Sequence, residues 1–279
     1  MRVYLTTPDL LYLVPVTLEV SEPQGTPEQI AAKLVTSWDK KTDLKSPFPA
    51  GTAVRSVTVK DGVATVDLSR QAATAMGSSQ EAKAVESLVR TMTSLPGVAK
   101  VRILVEGKQV ESLAGHVDIS RVLSVPPIIN HDGSQPLENT MKVTLWFGYG
   151  SYLVPVTRFV PRTVSAIRSV VTELIKGPEG LPGLSRTIPQ GTKLLGVNLK
   201  EGIAYVDLSQ ELKTKHWGGS TAERMTVESI ALTVTEFPTV SKVQILIAGK
   251  RVQSIAGHMS IDAPIARNDP NPLRYADLP

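Results

Sequence analysis

The alternation of hydrophobic and polar residues predicts the same series of elements in each half of the chain. Two alternating runs open each half and predict strands, at 3–6 and 11–20 in the first half and at 142–147 and 152–160 in the second. The second strand of each pair contains a proline, Pro15 or Pro155, which cannot donate a ladder hydrogen bond. We therefore expect this strand at a sheet edge or at a bulge.

An amphipathic helix is predicted after the two strands. In the first half Thr26 provides an N-cap, Pro27 suits the first helical position, and Gln29 completes a capping box. The apolar stripe of this helix is Ile30, Leu34 and Trp38, and in the second half it is Ile167, Val170, Val171, Leu174 and Ile175. Gly177 and Pro178 are expected to end the helix in the second half.

A hairpin is the next predicted element, with Asp61-Gly62 as its turn in the first half and Glu201-Gly202 in the second. Closing these turns places apolar residues opposite one another on one face of the hairpin, with polar residues on the other. The predicted pairs are Val59 with Ala64, Val57 with Val66, Leu199 with Ala204, Val197 with Val206 and Leu195 with Leu208. This pattern is typical of a half-buried antiparallel sheet.

A second amphipathic helix is predicted to begin at a capping box, Ser78 with Glu81 and again Ser220 with Glu223. Its apolar stripe is Val85, Leu88, Met92 and Leu95 in the first half, and Val227, Ile230, Val234 and Phe237 in the second. A proline stops each helix, and a strand and a short return strand follow. The order β-β-α-β-β-α-β-β predicts an α+β fold, with two helices on one face of a mostly antiparallel sheet.

The two halves are copies of one domain. The segment at 12–17, Tyr-Leu-Val-Pro-Val-Thr, returns unchanged 140 positions later, and Asp67-Leu68-Ser69 returns at the same offset. Beyond Pro96 the offset is 142, so the second copy has two extra residues near 216–220. Such a period has the length of a domain. We predict domains at 1–122 and 141–263, a linker at 123–140 rich in Pro, Asn, Gly and Ser, and an irregular tail at 264–279.

Composition excludes several classes of protein. The 279 residues include no cysteine, which excludes disulfides, thiolate metal sites and cysteine nucleophiles. The net charge of +4 comes from scattered residues, and only 5% of residues are aromatic, so we expect no nucleic-acid partner. No apolar run approaches the ~20 residues that span a bilayer. The overall balance is that of a globular protein.

Histidine, aspartate and serine recur at matching positions and are the candidates for chemistry. His116 and His258 end the segments Ser-Leu-Ala-Gly-His and Ser-Ile-Ala-Gly-His, whereas His131 and His216 have no repeated counterpart. A catalytic interpretation makes the repeated histidines general bases. Their partners would be Asp67 or Asp207, with Ser69, Ser209, Ser112 or Ser254 as nucleophile. We favour the alternative that these side chains form turns at strand ends, because no serine lies in a nucleophile-elbow glycine pattern.

The remaining motifs give no signature of a bound ligand. Gly51-Thr52 and Gly191-Thr192 precede a strand and lack the several glycines and the lysine of a phosphate-binding loop. No histidine or carboxylate cluster has metal-ligand spacing. We therefore predict no catalytic residue, no metal site, no cofactor-binding residue and no cofactor. Trp217, beside Gly218-Gly219 where the copies differ, is a candidate contact point because large exposed aromatic side chains favour interfaces.

The order of these motifs resembles the GerMN domain family. The shared features are Val-Pro-Val-Thr, a Pro-x-Gly-Thr loop, a strand pair ending in Val-Asp-Leu-Ser and a final Lys-Val-x-Ile-Leu strand, each present twice. The resemblance covers nearly the whole chain and implies a sporulation and spore germination lipoprotein with tandem GerMN domains. The inner αββαβ part of each copy is similar to the ring-building motif, whose modules pack side by side into rings. The extra strands and the tandem linkage could equally block ring closure.

The resemblance also implies a location and partners. It implies an extracytoplasmic lipoprotein held at the mother-cell membrane, facing the space between mother cell and forespore. There it would help to assemble the SpoIIIA–SpoIIQ trans-envelope complex. A signal peptide and a lipidated cysteine, which such a protein should carry, are expected to precede the residues shown. A non-enzymatic assembly factor that acts through protein–protein contacts is therefore the leading hypothesis.

Two alternatives stay open from the residues alone. The first is a module that binds peptidoglycan or cortex. Carbohydrate sites usually offer aromatic platforms, and of the three tryptophans Trp38 and Trp146 have core-like positions, which leaves Trp217. The second alternative is a spore-envelope hydrolase that uses the serines and carboxylates named above.

Overall fold

The computed structural model describes residues 1–19, 25–38, 42–163 and 165–274. The chain divides into two compact units. Unit 1 comprises Met1–Pro127 together with the segment that begins at Asn271, and unit 2 comprises Ile128–Pro270. Each unit therefore contains one copy of the sequence repeat.

Unit 1 contains six strands and two α-helices within its described residues. They are β1 (Arg2–Thr6), β2 (Leu13–Glu19), α1 (Pro27–Thr36), β3 (Val54–Lys60), β4 (Val63–Leu68), α2 (Ser78–Thr93), β5 (Lys100–Val105) and, from the far end of the chain, β12 (Pro272–Arg274). A short 3-10 helix, Arg70–Ala73, lies between β4 and α2.

Unit 2 repeats this series with a longer first hairpin. Its elements are β6 (Thr140–Tyr149), β7 (Tyr152–Pro161), α3 (Ala166–Lys176), β8 (Leu194–Lys200), β9 (Ile203–Leu208), α4 (Glu211–Thr214), α5 (Ser220–Val234), β10 (Lys242–Ile247) and β11 (Ile265–Ala266).

The predicted α+β class is confirmed, and the structure adds detail to the predicted sheet. Each unit has two sheets: a first hairpin, β1-β2 or β6-β7, and a mixed sheet, β3-β4-β5 or β8-β9-β10. The hairpins are antiparallel, whereas β4 pairs with β5, and β9 with β10, in parallel. The parallel pairing follows because a whole helix, α2 or α5, connects the two strands and reverses the chain between them.

The second helix of each unit supplies much of the core. Val85, Leu88 and Met92 of α2 are 6%, 0% and 0% exposed, and Val227 and Ile230 of α5 are both 0% exposed. These residues pack with the inward faces of the mixed sheet, where every second residue is buried. The predicted stripes are confirmed except for their last members, since Leu95 and Phe237 lie beyond the helix ends at Thr93 and Val234.

The first helix agrees with the prediction at its start and differs at its end. The Thr26 hydroxyl accepts the Gln29 N–H, and the Gln29 side chain accepts the Thr26 N–H, so the capping box is formed. The helix ends at Thr36, before the predicted stripe residue Trp38. Trp38 is half-buried, and its indole Nε1 donates to the Thr42 hydroxyl at 2.9 Å. In unit 2 Gly177, with a φ of 85°, follows the last turn of α3 as predicted.

The central hairpins have the predicted register near their turns but contain a β-bulge farther out. Val197 lies opposite Val206 and Leu199 opposite Ala204, as expected. The predicted pair of Leu195 with Leu208 is wrong, because a register shift places Leu194 opposite Leu208. Leu195 is 49% exposed, and Leu199, which keeps the predicted register, is 42% exposed. Unit 1 has the same shift between Val54 and Ser56, which periodicity alone cannot locate because a bulge inserts one residue into the alternation.

The linker and the tail are more ordered than their composition indicated. The tail predicted as irregular at 264–279 contains β11, which pairs with β10, and β12, which pairs with β2. Within the linker predicted at 123–140, Ile129 and Asn130 bond to β7. Proline-rich segments can do this because proline is tolerated as the first residue of an added strand. The predicted strand residue Val20 and the tail at 275–279 lie outside the described residues.

Candidate functional site: a groove beside Trp217

A concave surface in unit 2 is the strongest candidate site in the part of the chain that the structure describes. It encloses about 470 Å³. The residues that line it are Gly150, Ser185, Arg186, Thr187, Trp217, Thr221, Ala222 and Met225. Apart from Arg186, the lining consists of a glycine, an alanine, three small hydroxyl side chains, one aromatic and one thioether side chain. Such a groove suits apolar groups of a partner better than it suits a reaction.

Trp217 is the large exposed side chain at this groove. It lies in the segment between α4 and α5, and its side chain is 53% exposed. Gly218 and Gly219 follow with φ values of 76° and 84°, so the chain turns sharply before α5 begins at Ser220. The turn leaves the indole at the surface beside the first residues of α5.

His216 fixes the position of the tryptophan. The imidazole and indole rings are stacked, with centroids 5.1 Å apart and planes 14° apart. The Gly218 N–H donates to His216 Nδ1 at 3.0 Å, so that nitrogen carries no proton. The other nitrogen, Nε2, lies 3.1 Å from the Thr226 hydroxyl on α5. This arrangement assigns the neutral tautomer with the proton on Nε2, donated to Thr226.

The neutral form of His216 is favoured by its surroundings. Burial lowers the pKa of the imidazole below its ordinary value of 6.5, and the nearby Glu223 carboxylate opposes this shift only in part. The Thr226 hydroxyl is itself buried against the Thr187 main-chain oxygen, at 2.6 Å. His216, Thr226 and Thr187 therefore connect the tryptophan segment to α5 and to the opposite wall of the groove.

A glycine on β6 allows the floor of the groove to form. Gly148 exchanges two backbone hydrogen bonds with Ser185, at 2.9 and 2.7 Å. A Cβ atom at Gly148 would lie 2.5 Å from the Ser185 hydroxyl and 2.9 Å from the Met225 methyl group. Met225 packs in a small buried cluster with Trp146, Leu153 and Leu232, so the apolar floor is continuous with the interior of the unit.

Two arginines lie at the groove, and each has a carboxylate nearby. Arg186 lines the groove and donates from Nη1 to the Ile175 main-chain oxygen at 2.7 Å. Arg224, beside the lining residues on α5, donates to the Ser151 main-chain oxygen at 3.0 Å and to Glu228 at 2.5 Å. Burial raises the pKa of the Glu228 carboxyl, although Arg224 opposes the shift. Arg186 lies 3.9 Å from Glu179, which is 76% exposed, so an acidic group of a partner would compete with Glu179 for this guanidinium group.

The matching segment of unit 1 has a different surface. It follows the equivalent Asp-Leu-Ser motif, is two residues shorter, and contains no aromatic residue between Ser69 and Gly77. Its large side chain, Met76, is only 8% exposed. The exposed tryptophan is therefore particular to the second copy, at the place where the sequence repeat changes its offset.

The Asp-Leu-Ser motifs make side-chain bonds to the backbone in both units. Asp67 accepts the Gly107 N–H at 2.8 Å, and Asp207 accepts the Gly249 N–H at 2.8 Å. The hydroxyls of Ser69 and Ser209 each accept a main-chain N–H at 2.9 Å. These contacts hold the strand end to neighbouring turns, and in unit 1 Arg55 adds an ion pair to Asp67 at 3.4 Å.

The repeated histidines contribute their backbone to the structure, and their side chains are exposed. The His116 N–H donates to Glu81 at 2.9 Å, and the His258 N–H donates to Glu223 at 2.7 Å. Their segments are ordered further by the serines: the hydroxyls of Ser112 and Ser254 accept the Gly115 and Gly257 N–H groups, at 2.8 and 3.1 Å.

Glu81 and Glu223 are the residues whose role sequence reasoning missed. The predicted capping boxes are wrong: the N-caps are Gly77 and Gly219, and neither helix start has a side-chain cap bond. Both glutamates are instead 0% exposed and receive backbone N–H groups of the loop that ends in Ala-Gly-His. The signal that could have revealed this is a glutamate and that loop recurring together at the same offset of 142.

The chemical environment of Glu223 favours its charged form. Burial raises the pKa of this carboxyl, but the N–H groups of Ala256, His258, Ile255 and Met259 bond to it and lower the pKa further than burial raises it. The net result is a pKa below the ordinary value. A buried carboxylate saturated by backbone donors holds a loop in place and has little capacity left to accept a proton from a substrate.

No group of three or more histidines and carboxylates is arranged to hold a metal ion in the part of the chain that the structure describes. Among the same residues, none of the helices combines the length and the apolar character needed to cross a membrane.

Known proteins are similar to this chain in sequence and in fold. The model of the Germane family, described as sporulation and spore germination, matches residues 2–111 and 146–253. The spore germination protein GerM of Bacillus subtilis (strain 168) is 28% identical over 258 residues, which is 86% of this chain and 69% of that protein. The solved tandem GerMN domains of the sporulation protein GerM from Bacillus subtilis superpose with a TM-score of 0.71 at 25% identity. That match covers 96% of this chain and 98% of the solved chain.

The two matched ranges each correspond to one copy of the internal repeat, so both copies carry the family's pattern. Together with the tandem domains seen in the solved structure, they account for the elements and the duplication derived above. The chain belongs to the Germane family of sporulation and spore germination proteins.

Proposed function

We propose that this sporulation protein is a non-enzymatic assembly factor, which binds a protein partner through the groove beside Trp217. The observation that carries the proposal is the preorganised indole, 53% exposed and held by the stacked His216 ring above an apolar floor. Tryptophan is enriched at the energetic centres of protein interfaces, because it buries a large area at a small cost in side-chain entropy.

The features of the groove define the chemistry of the partner segment. The Trp217 indole and the Met225 floor suit an apolar side chain, and the Arg186 guanidinium can donate to a carbonyl or acidic group next to it. A partner that inserts an aliphatic or aromatic anchor flanked by an acidic residue would satisfy both.

We further propose that the partner belongs to the SpoIIIA–SpoIIQ trans-envelope complex between mother cell and forespore. The support is the resemblance of this chain to its family, which implies an extracytoplasmic lipoprotein anchored at the mother-cell membrane and engaged with that complex. The αββαβ part of each unit supports contacts with components that contain the ring-building motif. Assembly by side-by-side packing of such modules requires surface complementarity and needs no catalytic residue.

A binding experiment tests the proposal. Purified extracytoplasmic domains of the SpoIIIA and SpoIIQ proteins are titrated against the full chain, its Trp217→Ala variant and a Leu195→Ala control. Leu195 is 49% exposed in the same unit and lies outside the groove. We expect Trp217→Ala to weaken binding by about tenfold or more, as loss of an interface anchor does, and the control to leave it unchanged.

A parallel arm uses peptidoglycan sacculi and tests the alternative ligand. If the chain binds sacculi in a Trp217-dependent manner and none of the protein domains, the groove is a peptidoglycan site and the assembly proposal fails. The hydrolase alternative predicts sacculus cleavage that is lost in the Ser112→Ala, Ser254→Ala double variant.

A further inference from the structure

A buried asparagine with left-handed backbone geometry occurs at the same place in each unit. Asn130 and Asn271 are 5% and 3% exposed, with φ values of 47° and 51°. The side-chain amide of Asn130 donates to the Pro155 main-chain oxygen at 2.8 Å, and that of Asn271 donates to the Pro15 oxygen at 2.7 Å. Pro15 and Pro155 are equivalent residues of the repeat. The two contacts are therefore two examples of one docking site.

The docking site is the edge of the second strand. Pro15 has no N–H to donate, and two residues farther on the Thr17 N–H donates to the Asn271 main-chain oxygen at 3.2 Å. In unit 2 the equivalent Thr157 N–H donates at 2.8 Å to the oxygen of Ile129, the residue before Asn130, so this bond is shifted by one residue along the added segment. Each edge thus offers one carbonyl and one N–H to an added segment, which is the pattern of strand addition.

Each added segment follows one copy of the repeat in the sequence and docks on the unit that contains the other copy. Asn130 follows the first copy of the repeat yet docks on β7 of unit 2, whereas Asn271 follows the second copy and docks on β2 of unit 1. Each unit is therefore completed by residues that follow the other copy. Docking requires only the segment and the edge, and not a particular covalent path between them.

Each edge selects its own segment by the side chain next to the asparagine. In unit 2 Asp132 lies two residues after Asn130 and pairs with Arg158 at 2.5 Å. In unit 1 Leu18 occupies the position equivalent to Arg158, and Leu273 lies opposite Leu18. An aspartate opposite Leu18 would lose its cation, so the tail segment fits β2 and the linker segment fits β7.

The tail segment has a short connection to the preceding unit. Arg267 is held on unit 2 by bonds to the Leu232 oxygen at 2.8 Å and to Glu236 at 2.5 Å. Only the three residues at 268–270 separate it from Asn271, which belongs to unit 1. The docked strand β12 is itself only three residues long. Three paired residues are a small contact, which another copy of the same segment can replace by mass action.

We infer that the edge of β2 is a strand-addition site that takes the segment at 271–274 from a second copy of this chain. The tail of one chain is then bound to unit 1 of another. The inference does not depend on the groove beside Trp217. At low protein concentration the chain's own segment occupies the edge, because a tethered segment has a high effective concentration. Crowding of anchored chains on a membrane would favour exchange.

Disulfide trapping tests this inference, since the chain has no cysteine of its own. Glu19 and Arg274 are register neighbours across β2 and β12. A Glu19→Cys chain and a differently tagged Arg274→Cys chain are mixed, unfolded, refolded together at rising concentration and oxidised. The expected result is a disulfide-linked heterodimer whose yield rises with concentration. The Glu19→Cys, Arg274→Cys double variant at high dilution should give the intramolecular disulfide.

Matched asparagine variants show whether the trapped contact is the docked one. Asn271→Ala in the Arg274→Cys chain should lower the heterodimer yield about tenfold, because a buried hydrogen bond is lost. Asn268→Ala changes an exposed asparagine three positions earlier and should leave the yield unchanged. The inference is overturned if the heterodimer yield never exceeds that of the Asn271→Ala mixture, or if the double variant forms no intramolecular disulfide.

Discussion

Units 1 and 2 share their main helices and strands, and two of the differences between them face added or incoming groups. At the edge that receives the docked segment, unit 1 has the apolar Leu18 where unit 2 has Arg158. In the segment before the second helix, unit 1 has the buried Met76 where unit 2 has the exposed Trp217. The loop bonds made by the repeated Glu, Asp and Ser side chains recur in both units, so the duplication has kept this framework and varied these contact surfaces.

The retained framework consists of side chains that satisfy backbone groups. Glu81 and Glu223 hold one loop, and Asp67 and Asp207 hold another, in each case through main-chain N–H groups at 2.7–2.9 Å. Buried backbone donors must be paired, and a misplaced partner would cost as much as a lost hydrogen bond. The contact surfaces are free of this constraint, which explains why they diverge.

The largest effect on stability is expected at Arg158, a buried cation of unit 2 whose place is taken by Leu18 in unit 1. Arg158 bonds to Asp132, Glu173 and the Gly177 oxygen and is 8% exposed. Arg158→Ala leaves two carboxylates without this cation and should lower the free energy of unfolding of unit 2 by about 3–5 kcal/mol. Hydrogen exchange resolved to each unit measures this, with unit 1 as the internal reference.

A second variant converts the edge of unit 2 to the apolar type found in unit 1. Arg158→Leu combined with Asp132→Leu should recover at least half of the lost stability, since well-packed apolar residues often replace a buried ion pair. If the double variant is as unstable as Arg158→Ala, an apolar pair of the kind found in unit 1 cannot replace the ion pair in unit 2.

An intermediate and equal effect is expected at the two buried glutamates. Glu81→Gln and Glu223→Gln keep one acceptor oxygen but turn an amide toward the histidine N–H, which should cost about 1–3 kcal/mol in each unit. Urea denaturation monitored by unit-resolved hydrogen exchange compares them. Unequal costs would show that the framework is not equivalent in the two copies.

The smallest effect is a pH dependence confined to unit 2. Because the pKa of folded His216 lies below its ordinary value of 6.5, the unfolded state binds more protons as the pH falls below 6.5. The stabilising contribution of neutral His216 is therefore fully present above that pH and is lost as the pH falls toward the folded pKa. Protonation of Nδ1 also breaks its bond from Gly218.

Tryptophan fluorescence between pH 7.5 and about 5 follows this change, because the stacked imidazolium quenches the indole. The transition should be absent in His216→Asn. It should persist in His116→Asn, which alters an exposed histidine of unit 1. A transition of equal size in both variants would place the titrating group elsewhere.

The repeat, the helices and the hairpin turns could be predicted because they depend on local patterns. The stripe of Val85, Leu88 and Met92 and the Asp61-Gly62 turn are each contained within one element. The pairing of Glu81 with the loop at 113–116 spans more than 30 residues, and that of Asn271 with Pro15 spans 256. Neither hydrophobic periodicity nor turn chemistry reports on contacts between polar groups so far apart.

The groove could be predicted only in part. Trp217 was identifiable because it accompanies the two extra residues of the second copy. The contributions of Gly148, Ser185 and Met225 were not, because they depend on how β6 and the loop before β8 approach each other. A sequence can show that an aromatic residue has no counterpart in the other copy of a repeat, but it does not show which residues lie around it on the surface.

Site-specific photo-crosslinking in sporulating cells tests the central claim most directly. A benzophenone amino acid replaces Trp217 in one strain and Leu11, which is 44% exposed in unit 1, in another. The account predicts a covalent adduct from position 217 that contains a SpoIIIA or SpoIIQ component, and none from position 11. Equal adducts from both positions, or no adduct from position 217 in cells that contain the protein at its normal level, would contradict it.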